Sequence, residues 1–383
     1  MRKIWILAGE SSGDMYGARL GGALRRLAAE RGEELELSGM GGKAMMAAGI
    51  PVKVDSTELG VMGILEVLRL LFKFIAIYFN LVGAARRERP DTVVLIDYPG
   101  FNLLFGLAMY LSGIRVVWYI APHLWIWGKW RIPVLRKICA KVLVIFPFEV
   151  EYFGARKLRT VFTGHPLIDI LEGKKDPSLR RDPDLVLLLP GSRAGEIRRM
   201  FPHILETVLE LHRRRPELKY RLSAPREKIA AQCREMIRDF RLKYPEMPDI
   251  LISVGDTNSC QQLAGTGIAA CGTVTVESAV LGLPIVAGYR FGTLNYLLIS
   301  PCVRPFRGFI AMPNIIAGKQ VFPEFLQFRF KACNLLPALE SILPGGEGRQ
   351  AALDGMKHMT ELLREGSGGR TAEDRAAEEI WRF

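Results

Sequence analysis

Short apolar stretches alternate with longer stretches of helical character, and this alternation constrains the fold more than any other feature of the chain. In the first half the candidate strands are nearly continuous in apolar character, and they lie at 4–8, 35–38, 92–96, 116–120, 142–145 and 160–162. Helical segments such as 15–30 and 66–87 separate them. Because such strands are typical of parallel sheets covered on both faces, the pattern predicts a doubly wound α/β domain.

A charged segment separates this series from a second one. Residues 171–183 read LEGKKDPSLRRDP, contain two prolines and lack apolar periodicity, which is typical of a linker. Beyond it, candidate strands at 185–189, 220–223, 250–254, 267–270 and 285–287 again alternate with helices. We therefore predict two doubly wound, Rossmann-like α/β domains that face a cleft. They comprise residues 1–170 and 184–332, joined by the linker and followed by a helical tail at 333–383.

The charge balance favours an anionic partner, because 52 Lys and Arg face 40 acidic residues and give a formal charge of +12. The six cysteines form neither a C-x-x-C pair nor a zinc-type spacing, so we expect a reducing compartment, no metal and no cofactor. The apolar run at 4–8 is shorter than the roughly 7–15 residues of a signal-peptide core. Lys73 and Asn80 interrupt the longest apolar stretch, 68–85, so we expect a cytoplasmic chain without a transmembrane helix.

Asp97 ends the apolar run VVLI and precedes Tyr98, Pro99 and Gly100. Ligands of open α/β sheets bind outside the carboxyl ends of the strands, so an acid at this place is a candidate for chemistry. The alternative is an aspartate that caps a turn.

Two strand–turn–helix segments of the second half are candidate anion sites. LLLPGSRAGEI (187–197) has a glycine turn followed by Ser192 and Arg193 at a helix start, where free N–H groups and a guanidinium suit phosphate. ACGTVTVESAVLGLPIV (270–286) opens a helix at Gly272 and Thr273, with Glu277 one turn in, where its carboxylate could accept the hydroxyls of a ribose. Plain strand–helix loops are the alternative, but two such sites in one domain favour a nucleoside diphosphate.

LAGESSGDM (7–15) contains the G-x-S-x-G pattern of hydrolase nucleophile elbows. Because the pattern follows the first strand and not a central one, we interpret Ser11 and Ser12 as part of a loop of small residues at the cleft. His123 and His165 are further cleft candidates, although a lone histidine is more often structural.

The stretch 59–79 is apolar on nearly all sides, yet it contains two cations. A helix buried against the sheet is the alternative, but unpaired cations are costly to bury. We therefore predict contact with a membrane or with acyl chains, assisted by nearby Lys and Arg residues at 129–141, each worth about 1 kcal/mol near anionic lipid. The predicted contact residues are Val61, Met62, Leu65, Leu68, Arg69, Phe72 and Lys73.

Together these motifs resemble the lipid A disaccharide synthase family, bacterial glycosyltransferases of GT-B architecture. The stretches that carry the resemblance occur in order from residue 7 to about residue 327, and they are LAGESSGD, ELGVMGILEVL, IDYPGFN, FPFEVEYF, TGHPLID, LLPGSRAGEI, GTVTVESAVLGLPIVAGYR and MPNIIAGKQVFPEFLQ.

The resemblance implies transfer of 2,3-diacylglucosamine from its UDP conjugate to the 6-hydroxyl of 2,3-diacylglucosamine 1-phosphate, with inversion, at the inner face of the cytoplasmic membrane. It implies Asp97 as general base and no metal, and it excludes nucleic acid as partner; a homodimer is one possible assembly. The donor-site residues that it implies are Ser192, Arg193, Glu196, Glu277, Asn314 and Gln327.

Two positions depart from the family pattern. Gly100 stands where the family's DxPDFN motif has a second Asp, and His123 stands where Ser or Gln is usual, so contacts to the acceptor are expected to differ. Two alternatives stay open: an isomerase like UDP-N-acetylglucosamine 2-epimerase, and a non-enzymatic basic protein that binds membranes.

Overall fold

A computed structural model describes residues 1–56, 64–125, 128–292, 308–365 and 368–383, and for residues 64–73 it describes the backbone alone. The chain divides into two compact units. The first comprises Met1–Pro166 together with Leu363–Phe383, and the second comprises Leu167–Leu362.

The first unit is built on a parallel sheet of seven strands in the order β3-β2-β1-β4-β5-β6-β7. The strands are β1 (Arg2–Ala8), β2 (Leu35–Gly41), β3 (Val52–Asp55), β4 (Thr92–Ile96), β5 (Arg115–Tyr119), β6 (Lys141–Val144) and β7 (Thr160–Phe162). The helices between them are α1 (Ser11–Arg31), α2 (Lys43–Ala47), α3 (Ile64–Glu88), α4 (Pro99–Leu111), α5 (Ile132–Ile138) and α6 (Pro147–Gly154).

The core of this unit explains why the apolar runs form central strands. All five residues of β4 are buried, and the side chains of Val93 and Leu95 belong to one apolar cluster with the fully buried Trp118, Phe105 and Phe153. Burying large apolar side chains stabilises the fold by about 1.5–3 kcal/mol each, which favours central positions for the most apolar strands.

The second unit repeats this architecture with six parallel strands in the order β10-β9-β8-β11-β12-β13. Helix α7 (Pro166–Glu172) leads into it. Its strands are β8 (Asp182–Leu189), β9 (Lys219–Ala224), β10 (Ile250–Val254), β11 (Ala264–Ala270), β12 (Ile285–Tyr289) and β13 (Glu324–Leu326). Its helices are α8 (Ala194–Arg214), α9 (Glu227–Lys243), α10 (Thr257–Leu263), α11 (Thr273–Val280), α12 (Met312–Ala317) and α13 (Ala332–Ile342). The prediction of two doubly wound α/β domains is confirmed.

The C-terminal residues are divided differently from the predicted tail at 333–383. Helix α13 and most of α14 (Arg349–Arg364) belong to the second unit, whereas α15 (Ala372–Trp381) belongs to the first unit and packs on α1. Ala376, Ile380 and Trp381 are buried, and Arg26 forms an ion pair with Asp374 at 2.6 Å. These contacts link positions about 350 residues apart in sequence, so they cannot be predicted from local sequence patterns.

Candidate active site

The strand order of the first sheet reverses between β1 and β4, which are hydrogen-bonded neighbours. At such a switch point the following helices lie on opposite faces, which leaves a crevice beyond the carboxyl ends of the two strands. Ala8 pairs with Ile96, so the segment after β1 and the segment after β4 emerge side by side. The structure therefore brings LAGESSGD and IDYPGFN together.

Asp97 lies in a strained turn at this crevice. Asp97 and Tyr98 both have left-handed backbone conformations, with φ of 43° and 47°. The Asn102 side chain donates hydrogen bonds to the carbonyls of Ile96 (3.1 Å) and Asp97 (2.8 Å), which holds the turn in place. Left-handed conformations in residues other than glycine are costly and cluster at functional sites, so the turn fits a site where chemistry occurs.

The surroundings of Asp97 make it a better base than an ordinary aspartate. Burial and the negative charge of Glu10 raise the pKa of Asp97 to about 6, while a hydrogen bond from the Tyr98 N–H acts in the opposite direction. A carboxylate with this pKa is mostly ionised at neutral pH and binds a proton more tightly than an ordinary one, which suits a general base.

The serine loop does not form a hydrolase site in the described part of the chain. Ser11 and Ser12 are exposed at the start of α1, and neither hydroxyl hydrogen-bonds to a described histidine. Asp14 is buried, and its carboxylate accepts hydrogen bonds from the N–H groups of Gly42 (2.6 Å), Ala44 (2.8 Å) and Met45 (3.1 Å). Asp14 therefore fixes the start of α2 and is not available as the third member of a triad.

The two predicted histidines lie at the ends of β5 and β7 and differ in exposure. The His123 ring is partly exposed and lies 5.5 Å from Trp125 and 6.1 Å from Phe146. His165 is only 5% exposed, and burial together with His123 lowers the pKa of His165 to about 3. His165 is thus a neutral, buried part of an aromatic cluster with Phe146.

Sequence reasoning missed Glu149 in this cluster. Glu149 is fully buried in the first turn of α6, and its Oε2 accepts a hydrogen bond from the Phe146 N–H at 3.3 Å. Burial raises the pKa of Glu149 to about 8, opposed by hydrogen bonds from Phe146, Trp125 and Ile145. The FPFE sequence after a strand could have revealed it, since an acid three residues after the N-cap is typical of a capped helix.

The second sheet also reverses its order, between β8 and β11, and a cavity of about 550 Å³ lies beyond these strands. A cavity of this size can hold a nucleotide. Six of the residues predicted at the donor site line it: Ser192, Arg193, Glu196, Gly272, Thr273 and Glu277. Further lining residues come from the ends of β9 and β10, which the sequence patterns did not single out: Ser223, Pro225, Gly255, Thr257 and Asn258.

Glu196 holds the loop after β8 in place. It is 7% exposed, and its Oε2 accepts hydrogen bonds from the N–H groups of Ser192 (3.1 Å) and Arg193 (3.2 Å). Its Oε1 accepts from the Arg193 guanidinium and the Tyr289 hydroxyl, both at 3.1 Å. Gly191 has a φ of 125°, and a Cβ there would lie 2.8 Å from Oε2 of Glu196, so the loop requires a glycine. The carboxylate is used within the loop, while the Arg193 side chain is largely exposed to the cavity side.

Glu277, by contrast, is available to a ligand. It lies one turn into α11, and its side chain makes no hydrogen bond or ion pair with another described residue. Burial raises the pKa of Glu277, and the charge of Lys174 opposes this effect. Gly272 and Thr273 are exposed at the start of the same helix, where backbone N–H groups attract anions.

Asn314 and Gln327 are not among the residues that line this cavity, and their contact with the donor stays a prediction. The fully buried Asn314 amide donates to the Phe322 carbonyl (2.8 Å) and Glu324 (2.9 Å), and its Oδ1 accepts from Val321 and Phe322. The Gln327 amide accepts from the Phe291 N–H at 2.9 Å and donates to its carbonyl. Since these amides are satisfied within the protein, the two residues position loops of the second unit.

The predicted membrane segment is described only in part. Val61 and Met62 lie outside the described residues, and the side chains of Leu65, Leu68, Arg69, Phe72 and Lys73 are likewise not described. Further along α3, Phe79 is 66% exposed, and on the adjacent α4 Leu111 is 70% exposed. Among the helices the structure describes, none has the length and apolarity needed to cross a bilayer. The described part of the chain contains no cluster of three acidic, histidine or cysteine side chains that could hold a metal ion.

The sequence model of the family "lipid-A-disaccharide synthetase" matches residues 4–380 of the chain. The lipid-A-disaccharide synthase of Koribacter versatilis is 33% identical, covering 99% of this chain and 98% of that protein. The corresponding protein of Idiomarina loihiensis is 35% identical, covering 85% of each.

Solved structures share the fold over the full length. The S. aureus MnaA–UDP co-structure has a TM-score of 0.65 at 16% identity, covering 99% of this chain and 96% of that one. UDP-GlcNAc 2-epimerase from Neisseria meningitidis, bound to UDP-GlcNAc, has a TM-score of 0.62 at 12% identity, covering all of both chains. At such low identity these structures support the predicted GT-B fold and carry no argument about activity. The family model and the sequence relatives match most of the chain, and the chain therefore belongs to the lipid-A-disaccharide synthase family of glycosyltransferases.

Proposed function

We propose that the protein joins two acylated glucosamine units, with Asp97 as the general base. Asp97 takes the proton of the 6-hydroxyl of 2,3-diacylglucosamine 1-phosphate while that oxygen attacks the anomeric carbon of UDP-2,3-diacylglucosamine. The bond from this carbon to the diphosphate breaks as the new bond forms. The products are the β-1,6-linked disaccharide 1-phosphate and UDP, with inverted configuration.

The observation that carries this proposal is the placement of Asp97. It ends a buried strand at the switch point of the first sheet, in a strained turn, and its pKa is raised to about 6. A positioned base of this kind contributes roughly 10²–10⁴ in rate. A turn-capping aspartate would need neither the strained backbone nor a raised pKa.

The cavity of the second unit suits the UDP group. Arg193 and the start of α11 place positive charge where the departing diphosphate gains negative charge, and this needs no metal. The Glu277 carboxylate makes no hydrogen bond with a described residue, and it is proposed to accept hydrogen bonds from the ribose hydroxyls. Asn314 and Gln327 act by holding the surrounding loops.

The test is UDP release from UDP-2,3-diacylglucosamine, with and without the acceptor monosaccharide 1-phosphate. We expect Asp97→Asn to reduce the rate by about 10²–10⁴, with UDP affinity unchanged, because the base and the nucleotide site lie on different units. Asp91→Asn, an exposed acid just before the same strand, is the matched control. Full activity of Asp97→Asn would refute the proposal, and epimer formation from unacylated UDP-N-acetylglucosamine would favour the isomerase alternative.

We further propose that the protein binds peripherally to the inner face of the cytoplasmic membrane. An apolar surface of Ile75, Phe79, Leu104 and Leu111 is exposed on α3 and α4, and the Tyr78 hydroxyl links the two helices by a hydrogen bond to the Leu104 carbonyl. Exposed apolar patches of this kind mark contact sites, and acylated substrates reside in membranes. A homodimer stays a prediction, which analytical ultracentrifugation measures directly.

Sedimentation with anionic phosphatidylglycerol vesicles at low salt tests the membrane contact. We expect Phe79→Ser and Leu111→Ser each to weaken binding about tenfold, because each removes apolar area worth about 1–2 kcal/mol. Leu242→Ser is the control, since Leu242 is 79% exposed on the second unit. Equal binding by all three variants would refute this contact surface.

A further inference from the structure

We propose that Glu10 is a positioning residue of the same reaction, whose carboxylate acts through Asp97 and strengthens it as a proton acceptor. This inference rests on the proposed function, in which Asp97 is the base. Glu10 lies in the segment LAGESSGDM, of which only Ser11 and Ser12 are predicted from the sequence to lie at the cleft.

The geometry of the first sheet brings Glu10 to the Asp97 turn. Ala8 at the end of β1 pairs with Ile96 at the end of β4, so Glu10 and Asp97 follow neighbouring residues of two adjacent strands. The residues next to them are in close contact: a Cβ on Gly9 would lie 2.1 Å from Cδ1 of Tyr98. The chain that carries Glu10 therefore passes directly against the turn that carries Asp97.

The charge of Glu10 is not neutralised by its neighbours. Glu10 is exposed at the N-cap position of α1, and its side chain makes no capping hydrogen bond there. Within the described ranges, it forms no ion pair or hydrogen bond with another side chain. Its negative charge raises the pKa of Tyr98 as well as that of Asp97, in each case after the larger effect of burial.

The other groups around Asp97 do not supply such a charge. Tyr98 lies in the same turn. The Tyr119 carbonyl, at the end of β5, accepts a hydrogen bond from the Asp97 N–H at 3.3 Å. His123, on the segment after β5, has a pKa lowered by burial and is therefore neutral near pH 7. Glu10 is thus the acid whose charge acts on Asp97 from a neighbouring strand.

Glu10→Gln tests the inference, first by a ¹³C NMR titration of the Asp97 carboxyl in the full-length protein. Removing a negative neighbour makes proton loss easier, so we expect the pKa of Asp97 to fall by roughly half a unit to one unit. The acid limb of the kcat/KM profile should move to lower pH by the same amount, and the plateau should fall roughly twofold because the base is weaker.

Glu10→Asp keeps the charge, so the Asp97 pKa and the pH–rate profile should stay close to those of the wild type. Glu34 is an exposed acid at the amino end of β2, whereas Asp97 follows the carboxyl end of β4, so Glu34→Gln should change neither. An unchanged Asp97 titration in Glu10→Gln would overturn the inference. If the titration moves and the pH–rate profile does not, the coupling between the two acids stands and Asp97 is not the base. Tryptophan fluorescence verifies that each variant is folded, because all six tryptophans lie in the first unit.

Discussion

Replacing Glu196 by Gln separates a loop-holding role from direct ligand contact. The two carboxylate oxygens accept four hydrogen bonds: from the N–H groups of Ser192 and Arg193, from the Arg193 guanidinium and from the Tyr289 hydroxyl. A glutamine keeps the shape but has one accepting oxygen, and its amino group cannot accept from a guanidinium. The variant therefore leaves part of the loop without its acceptor while the lining of the cavity stays otherwise intact.

The magnitude follows from the nature of these bonds. A hydrogen bond to a charged group contributes about 1.5–3 kcal/mol, whereas a neutral one contributes about 0.5–1.5 kcal/mol. Weakening the two backbone bonds and losing the guanidinium pair removes about 2–3 kcal/mol from the ordered loop. Since about 1.4 kcal/mol corresponds to a factor of ten, we expect UDP affinity to fall roughly 30- to 150-fold.

Isothermal titration calorimetry with UDP measures the affinity, and hydrogen exchange of the Ser192 and Arg193 amides measures the order of the loop. Tyr289→Phe is the matched control, because it removes a single bond to the same carboxylate and should cost fivefold or less, for about 1 kcal/mol. Wild-type affinity together with unchanged amide exchange in Glu196→Gln would refute the reasoning. Reduced affinity with unchanged exchange would instead indicate that Glu196 contacts the nucleotide itself.

Two further predictions concern the first unit, which contains all six tryptophans, so that tryptophan fluorescence reports its unfolding alone. In Gly9→Ala the new methyl would lie 2.1 Å from the Tyr98 ring, so the turn must move. We expect the free energy of unfolding, measured with urea, to fall by about 1–3 kcal/mol, and transfer activity to be lost while UDP affinity is retained. A fully active variant would contradict this packing. Burial raises the pKa of Glu149 from 4.5 to about 8, so the folded unit holds this proton more tightly than the unfolded chain, and its stability falls as the pH rises from about 4.5 to about 8. Glu149→Gln has no such proton and should flatten this decline between about pH 5 and about pH 8. A pH slope equal to that of the wild type would show that Glu149 is not the cause.

The local sequence was sufficient for the elements that periodicity and turn residues encode. Apolar runs such as 92–96 became central strands because every residue in them is buried, and Asp97 marks the strand end where the run stops. The glycine turns at Gly191 and Gly272 each precede a helix, and both line the cavity of the second unit, as the strand–turn–helix patterns indicated.

The partners of side chains were not predictable in this way. Asn314 and Gln327 occur in motifs that the family resemblance assigns to the donor site, yet their amides bond to backbone groups as far as 36 residues away. Likewise His165 is a cleft candidate by its sequence, yet it is buried, and its ring lies 5.2 Å from that of Phe146.

What the sequence by itself determined is which residues end strands and begin helices, because these depend on neighbours within a few positions along the chain. Only the tertiary structure decided which strand ends lie next to each other. The order of each sheet puts β1 beside β4 and β8 beside β11, and the segments that meet there are about 80 residues apart in sequence. Strand order is set by how helices and strands share a common core, so the proximity of Glu10 to Asp97 and the return of α15 to the first unit follow from packing across the whole unit.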